Sequence, residues 1–145
     1  MATEPNTIGY WVDRLNLKLI KAAEMGYADL GVKDNQTFVL YVLRDTALSN
    51  DELETALEPF WRDNEENWEI ATGQLIEAGM ISSSDGLLRL TDKGREVDAK
   101  VTAHVDRLRD ATAAAISAEE RAQTIDCMRR LSRAIEEFIE EEEGE

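Results

Sequence analysis

The side chains that most often carry out chemistry in proteins are scarce in this chain. Cys127 is the only cysteine and His104 the only histidine among 145 residues. A single cysteine forms neither an intramolecular disulfide nor a cysteine-based zinc site. A single histidine without an obvious partner supplies neither a catalytic triad nor a three-ligand metal site. Because glycine-rich phosphate loops and nucleophile elbows are also missing from the sequence, the residues argue against an enzyme and against a bound metal or cofactor.

Carboxylates outnumber basic side chains by almost two to one. The chain has 31 Asp and Glu against 16 Lys and Arg, a net charge of −15. Residues 1–33 carry no net charge, residues 34–94 carry −9 and residues 95–145 carry −6. An acidic balance favours solubility and repels phosphate backbones. A solvated acidic surface explains these carboxylates better than acid–base catalysis does.

The composition is that of a folded, soluble protein. Apolar residues make up 43% of the chain, which is enough for a packed core. No apolar run is long enough to span a bilayer, and residues 1–7 lack the pattern of a signal peptide. Together with the single cysteine, these features lead us to expect a cytoplasmic protein without membrane contact.

Apolar spacing and capping residues predict three helices in the first part of the chain. Residues 9–24 and 34–44 have apolar side chains at helical spacing, with Asp34 as the N-cap of the second helix. Ser49 followed by Glu52 is a capping box that begins a short third helix.

A fourth helix and a hairpin follow. Asn64 or Asn67 can cap the helix, and Gly79 suits the position just after its end. Residues 80–90 form two short alternating segments around a Ser-Asp-Gly turn, which predicts a β-hairpin. The inner face of the fourth helix is predicted to contain Trp68, Thr72, Leu75 and Ile76.

Two long helices complete the chain. Thr91 caps a helix over residues 92–115, and a second capping box, Ser117 with Glu120, begins the last one. Cys127 lies next to the apolar stripe of the last helix, which predicts a buried structural thiol rather than a redox sensor.

This order of elements predicts a mainly α fold. Three short helices followed by a hairpin are the layout of a winged helix-turn-helix, with the hairpin as its wing. The first and last helices are too apolar on one face to stand alone, so we expect them to form a dimerisation bundle with a second copy of the chain. The predicted domains are an N-terminal dimerisation helix in residues 1–33, the winged helix-turn-helix in 34–94, and C-terminal dimerisation helices with an acidic tail in 95–145.

Over nearly its whole length the sequence resembles the MarR family of transcription regulators. The most specific match is Leu90-Thr91-Asp92-Lys93-Gly94-Arg95, directly after the hairpin. Four weaker stretches occur in the order and at the spacing of the family: Ile8-Gly9-Tyr10-Trp11, Gln36 to Leu43, Asp51 to Leu57, and Leu75 to Ile81. The resemblance implies a homodimer with interleaved terminal helices, paired winged lobes on a palindromic operator, and often a small aromatic or phenolic effector between lobe and dimer helices.

Two segments depart from the MarR pattern. Residues 58–66 are longer than usual and include Pro59-Phe60-Trp61, a feature that is similar to the PadR branch of winged-helix regulators. The hairpin is several residues shorter than the usual wing, and Arg89 is its only basic residue.

On this resemblance the fourth helix is the one that enters DNA. Asn67 and Gln74 are suited to adenine, and Arg62 and Arg89 to phosphate. Carboxylates repel phosphate, and among the bases they accept only from the amino group of cytosine. The alternative is therefore an acidic winged-helix module that has lost DNA binding and contacts another protein. The carboxylates predicted on the outer face of this helix are Glu66, Glu69 and Glu77.

Several aromatic side chains are candidates for an effector pocket. Tyr10, Trp11, Tyr27 and Tyr41 combine ring surfaces with polar groups, which suits phenolic ligands. His104, in the first of the long helices, is a candidate for the same pocket or for the dimer interface. The alternative is that the aromatic residues simply pack at an interface.

Overall fold

The computed structural model describes residues 5–60 and 67–144. The chain divides into two units, Met1–Asp106 and Arg107–Glu145. Two short 3₁₀ turns occur at Ala28–Leu30 and Glu58–Phe60. The helices and strands of the described residues are α1 (Ile8–Glu24), α2 (Asp34–Val42), α3 (Asn50–Leu57), α4 (Trp68–Glu77), β1 (Ile81–Ser84), β2 (Leu87–Leu90), α5 (Asp92–Ala113) and α6 (Ala118–Glu143).

The mainly α winged-helix prediction is confirmed, and so are both capping boxes. The Ser49 Oγ atom accepts the Glu52 N–H at 3.2 Å, while the Glu52 carboxylate accepts the Ser49 N–H at 3.2 Å. Ser117 and Glu120 make the same pair of bonds at the start of α6, each at 3.0 Å. Each box satisfies two backbone donors that the first helical turn leaves without partners.

The start of α2 differs from the prediction by one residue. Lys33 is the N-cap and Asp34 is the first helical residue. The reason is that the Gln36 side chain accepts the Lys33 backbone N–H at 2.9 Å, which closes the turn earlier. The Thr37 hydroxyl donates to the Asp34 carbonyl at 2.6 Å and holds the same turn.

The hairpin is tight, and β2 also pairs with the residue before the α3 N-cap. Asp85 and Gly86 both have positive φ, 54° and 75°, which makes this a two-residue turn of the kind that matches strand twist. Leu88 and Leu90 face the core and are 4% and 5% exposed. Leu48 pairs with Leu88 as an isolated bridge, with N–H to carbonyl distances of 3.1 and 2.8 Å.

The core of the winged lobe is formed by α2, α3, α4 and the hairpin. One prediction for the inner face of α4 is wrong, because Ile76 is 39% exposed, whereas Leu75 is 1% exposed. Adjacent helical residues point about 100° apart, so the buried face passes through Leu75 and leaves Ile76 at its edge. The largest of the fully buried side chains are Val39, Leu40, Leu43, Leu53, Leu57, Leu75 and Ile81.

The start of α5 makes a close backbone contact with the residues between α4 and β1. The Thr91 hydroxyl donates to the Gly79 carbonyl at 2.6 Å and accepts the Gly94 N–H at 3.1 Å, which confirms Thr91 as the cap of α5. A Cβ atom on Gly94 would overlap the carbonyl oxygen of Met80. Glycine at this position therefore allows the first turn of α5 to contact the backbone of Met80, which follows α4.

A partly buried ion pair joins Arg44, two residues after the end of α2, to α5. The Arg44 guanidinium donates from Nε to Asp98 Oδ2 at 2.7 Å and from Nη2 to Asp98 Oδ1 at 3.1 Å. The same Nη2 atom donates to the Thr102 hydroxyl at 2.6 Å. Asp98 is only 6% exposed, and its hydrogen bonds raise the pKa of Arg44 above the ordinary arginine value. This is the bidentate geometry in which arginine binds a carboxylate most strongly.

The helices at the two ends of the chain leave apolar side chains uncovered. Neither α1 nor α6 contains a buried residue. Cys127 is exposed, with its Sγ 3.4 Å from Arg130 Nη2, so the prediction of a buried thiol is wrong for this chain by itself. The exposed apolar residues of these helices include Ile8, Trp11, Leu15 and Leu19 in α1, and Ile125, Met128, Leu131, Ile135, Phe138 and Ile139 in α6.

The described residues contain neither a membrane-spanning helix nor a cluster of metal-ligating side chains. None of the helices in residues 5–60 and 67–144 is both long enough and apolar enough to cross a membrane. In the same part of the chain, no three His, Cys, Asp or Glu side chains lie together as a group that could hold a metal ion.

Candidate nucleic-acid interface

The exposed face of α4 is acidic and apolar rather than basic. Glu69, Gln74 and Glu77 are exposed along the helix, and Ile70 between them is 60% exposed. The described helix, residues 68–77, contains no lysine or arginine. Such a face can donate and accept hydrogen bonds at base edges and contact a thymine methyl group, but it does not attract phosphate.

Asn67, a predicted base contact, is the N-cap of α4. Its Oδ1 atom accepts the backbone N–H groups of Glu69 at 2.8 Å and Ile70 at 3.3 Å. The capping bonds occupy the carbonyl oxygen of the side chain. Its amino group is therefore the part that remains for another partner.

Gln74, the second predicted base contact, is tied to α2. Its Oε1 atom accepts a hydrogen bond from Gln36 Nε2 at 2.8 Å. Gln36 is 5% exposed, and its own oxygen accepts the Lys33 N–H at 2.9 Å. Sequence reasoning did not identify Gln36, because a glutamine in an amphipathic helix looks like an ordinary surface residue until the packing of α2 on α4 is known.

Of the two predicted phosphate contacts, Arg89 lies in the described part of the chain. Arg89 is exposed on β2, opposite Ser82 of β1. Arg62 lies outside the described residues. Lys93, which the sequence analysis did not single out as a DNA contact, donates from Nζ to the Ala78 carbonyl at 2.7 Å. This carbonyl is at the C-terminal end of α4, where the helix dipole favours a positive charge.

The structure describes contacts of all four predicted ligand residues. The rings of Tyr10 and Trp11 contact each other edge to face at 5.3 Å, near the start of α1. His104 Nε2 lies 2.7 Å from the Ala22 carbonyl oxygen, roughly 16 Å further along the helix axis from Trp11. Tyr41 is 50% exposed and contacts the Arg44 guanidinium at 4.9 Å from its ring centre.

A cavity of about 480 Å³ lies between the end of α1 and the start of α2. Tyr27, which sequence reasoning considered, lines it and is 5% exposed. The buried Oδ1 atom of Asn35, which also lines it, has no hydrogen-bond partner among the described residues. The volume is within the range of small-molecule sites. The remaining lining residues are Glu24, Ala28, Val32, Lys33 and Asp34.

The hydroxyl of Tyr27 makes the stability of the lobe sensitive to alkaline pH. Burial is the main cause that raises its pKa above the ordinary 10.0, and the nearby Asp34 carboxylate adds to the shift. Between the unfolded-state pKa and the higher folded-state pKa, the folded chain binds more protons than the unfolded chain. The free energy of unfolding therefore falls as pH rises through this interval.

Replacing Tyr27 by phenylalanine is expected to remove this alkaline loss of stability. Urea unfolding followed by circular dichroism between roughly pH 9 and 11 measures the slope against pH. Tyr41→Phe removes a hydroxyl from an exposed ring and is the matched control, which we expect to keep the wild-type slope. Identical slopes for the wild type and Tyr27→Phe would contradict the prediction.

A family model matches most of the chain, including the winged lobe. Residues 30–138 match the model of a family described as a helix-turn-helix family. This match covers about three quarters of the chain and includes α2 to α5 and most of α6. A search of curated protein sequences finds no significant match.

Solved structures with the same fold belong to transcription regulators. A MarR family protein of Mycobacterium tuberculosis is 20% identical, with a TM-score of 0.61 over 86% of this chain and 93% of that chain. PcaV of Streptomyces coelicolor, in complex with its natural ligand, is 23% identical, with a TM-score of 0.66 over 93% and 99%. BpsR of Bordetella bronchiseptica, whose DNA binding is regulated by 6-hydroxynicotinic acid, is 18% identical, with a TM-score of 0.69 over 91% and 97%. The chain therefore belongs to the helix-turn-helix family, and its fold is the winged helix of MarR-type regulators.

Proposed function

We propose that this protein is a DNA-binding transcription regulator that acts as a homodimer. The observation that carries the proposal is the winged lobe itself, in which α4 presents an exposed face and is followed by a hairpin with Arg89 exposed on β2. In winged helix-turn-helix proteins this arrangement places one helix in the major groove. The function is binding rather than catalysis.

The dimer follows from the uncovered apolar faces of α1 and α6. Large apolar side chains such as Trp11, Leu15, Ile135 and Phe138 are between 46% and 60% exposed in the single chain. Large apolar side chains grouped on a helix face are rarely left in water, and in the proposed dimer a second copy of the same chain covers them. Two lobes held in this way contact half-sites about one DNA turn apart.

We also propose a small aromatic acid or phenol as effector. The structural neighbours PcaV and BpsR are described with a natural ligand and with 6-hydroxynicotinic acid. Here the cavity lined by Tyr27 offers an apolar wall together with Lys33 and Asn35 as polar partners. In the dimer, Tyr10, Trp11, Tyr41 and His104 remain candidates for contacts to such a ligand.

The DNA-binding proposal is tested by selecting bound duplexes from a random library and measuring their affinity over a salt series. Arg89→Ala is expected to weaken binding to all sequences and to reduce the slope of log affinity against log salt by about one, because one phosphate contact is lost. Lys100→Ala, which removes the same charge from the exposed side of α5, is the matched control and is expected to keep both values.

Two outcomes would contradict the proposal. If the wild-type protein selects no sequence even at low salt, the acidic winged-helix module that contacts another protein becomes the better description. The acidic face of α4, with Glu69 and Glu77, is the surface that such a module would use. A folded single chain in sedimentation at micromolar concentration would contradict the homodimer.

A further inference from the structure

One side of α4 combines an exposed isoleucine with a glycine. Ile70 is 60% exposed in the first turn of the helix, where its backbone N–H donates to Asn67 Oδ1 at 3.3 Å. Gly73, Gln74 and Glu77 follow it at helical spacing and lie on the same side. The first turn of α4 thus presents an apolar side chain where the recognition helix of a helix-turn-helix contacts base edges. The buried residues of the helix lie away from this side: Ala71, Thr72 and Leu75.

Packing within the described part of the chain does not require a glycine at position 73. The backbone of Gly73 is helical, and a Cβ atom there would meet no atom of the described residues within 4 Å. Glycine in the interior of a helix lowers its stability relative to alanine. What glycine does permit is the close approach of another molecule to the helix backbone. We therefore expect a ligand to come close to α4 at Gly73.

The charge of α4 indicates which part of DNA can come so close. Glu69 and Glu77 are the helical neighbours of Gly73 four residues before and after it, and residues 68–77 contain no lysine or arginine. Carboxylates and phosphates repel each other, so this helix gains nothing from contact with the DNA backbone. Its favourable contacts are with base edges on the floor of the major groove. To reach that floor the helix has to enter deeply, and Gly73 has no side chain to hold it away.

The group on the groove floor that matches Ile70 is the C5-methyl group of thymine. In the major groove the four unmodified bases otherwise present hydrogen-bond donors and acceptors. An aliphatic side chain placed over a donor or acceptor leaves it without a partner, which costs free energy. Placed over a methyl group, the same side chain removes apolar surface from water, and one buried methyl group corresponds to about fourfold in affinity.

We propose that Ile70 and Gly73 form a methyl-reading surface through which α4 selects thymine in the DNA site. Ile70 covers the C5-methyl group, and Gly73 allows the helix to come close enough for this contact. The proposal rests on the proposed function, because it assigns a base preference to the same face of α4. It adds an apolar contact to the polar base contacts expected from Asn67 and Gln74.

The test compares thymine with uracil, which lacks only the C5-methyl group, at each position of a site that the wild-type protein selects from a random duplex library. We expect one thymine in each half-site at which uracil lowers the affinity about fourfold. Ile70→Ala should bind thymine and uracil equally at that position and keep the other base preferences. Ile76→Ala is the matched control, because it truncates a 39% exposed isoleucine on another side of the same helix and should keep the wild-type ratio.

A cytosine series shows whether the methyl group itself is read. At the same position, 5-methylcytosine should bind better than cytosine by the same factor of about four, and Ile70→Ala should abolish the difference. A preference for thymine without any gain from 5-methylcytosine would assign the contact to the O4 atom of thymine. That result would overturn the role of Ile70.

Gly73→Ala separates close approach from a structural role. The variant is expected to unfold at a higher urea concentration than the wild type, because alanine favours the helix. It should nevertheless lose about fourfold in affinity for each half-site, together with the difference between thymine and uracil. A residue that mattered only for the fold would change stability and affinity in the same direction.

The outcomes separate this inference from the function on which it rests. If the wild type selects a site in which no change from thymine to uracil matters, or if Ile70→Ala keeps the difference, the inference is overturned. Wild-type affinity of Gly73→Ala overturns the role of Gly73. If the wild type selects no sequence at all, the proposed function fails and the inference fails with it.

Discussion

Replacing Gly94 by alanine is expected to lower the free energy of unfolding by at least about 3 kcal/mol, at the upper end of the range for overpacking. The added Cβ would overlap the Met80 carbonyl oxygen, and a backbone atom does not move aside as a flexible side chain does. Both the Thr91 cap of α5 and its bond to Gly79 depend on the same close contact. Thermal and urea unfolding followed by circular dichroism, at one protein concentration, measures the loss.

Gly73→Ala is the matched control for this prediction. Gly73 lies in the interior of α4, and a Cβ atom there meets no atom within 4 Å. Since alanine favours a helix over glycine, we expect a gain of about 0.5 to 1 kcal/mol from this variant. A wild-type unfolding curve for Gly94→Ala would show that α5 can move away from Met80 without cost, and the prediction would fail.

Replacing Arg44 by methionine is expected to cost about 3 kcal/mol, because it leaves the Asp98 carboxylate buried without its charged partner. Asp98 is 6% exposed and accepts two hydrogen bonds from Arg44. The Arg44 side chain is 34% exposed, which places the expected cost at the lower end of the range for buried pairs. Arg44→Lys should recover only part of the loss, since an ammonium group cannot make the bidentate contact.

A double-mutant cycle separates the ion pair from other effects. Arg44→Met combined with Asp98→Leu should cost less than the sum of the two single variants, because no buried charge remains. Lys100→Met removes an exposed partner of Glu96 on the same helix, and we expect it to cost less than about 0.5 kcal/mol. Additive single costs in the cycle would mean that Arg44 and Asp98 do not stabilise each other.

The Arg44–Asp98 pair also bears on the proposed regulation. It connects the end of α2, in the winged lobe, to α5, the helix that continues towards the C-terminal unit. A ligand that shifts α2 relative to α5 would have to strain or break this pair. For that reason we expect the variants at Arg44 and Asp98 to alter the response of DNA binding to an effector.

The helix starts and the hairpin follow from local sequence. The capping boxes of Ser49 and Ser117 and the turn at Asp85 and Gly86 involve residues within three or four positions of one another, so their geometry follows from nearby side chains alone. The alternation of apolar residues that buries Leu88 is also a local pattern of the sequence. The order of the elements, which is similar to that of the MarR family, can likewise be predicted from the sequence.

Only the tertiary structure decided which polar residues matter for the site. Gln36 and Gln74 are 38 positions apart, and Arg44 and Asp98 are 54 apart. In the sequence each of them looks like one more polar residue on an amphipathic helix, because a side chain carries no local sign of the partner that packing brings to it. Short-range hydrogen bonds therefore determined the elements, whereas the packing of α2 against α4 brought Gln36 into contact with Gln74, a residue proposed to meet DNA.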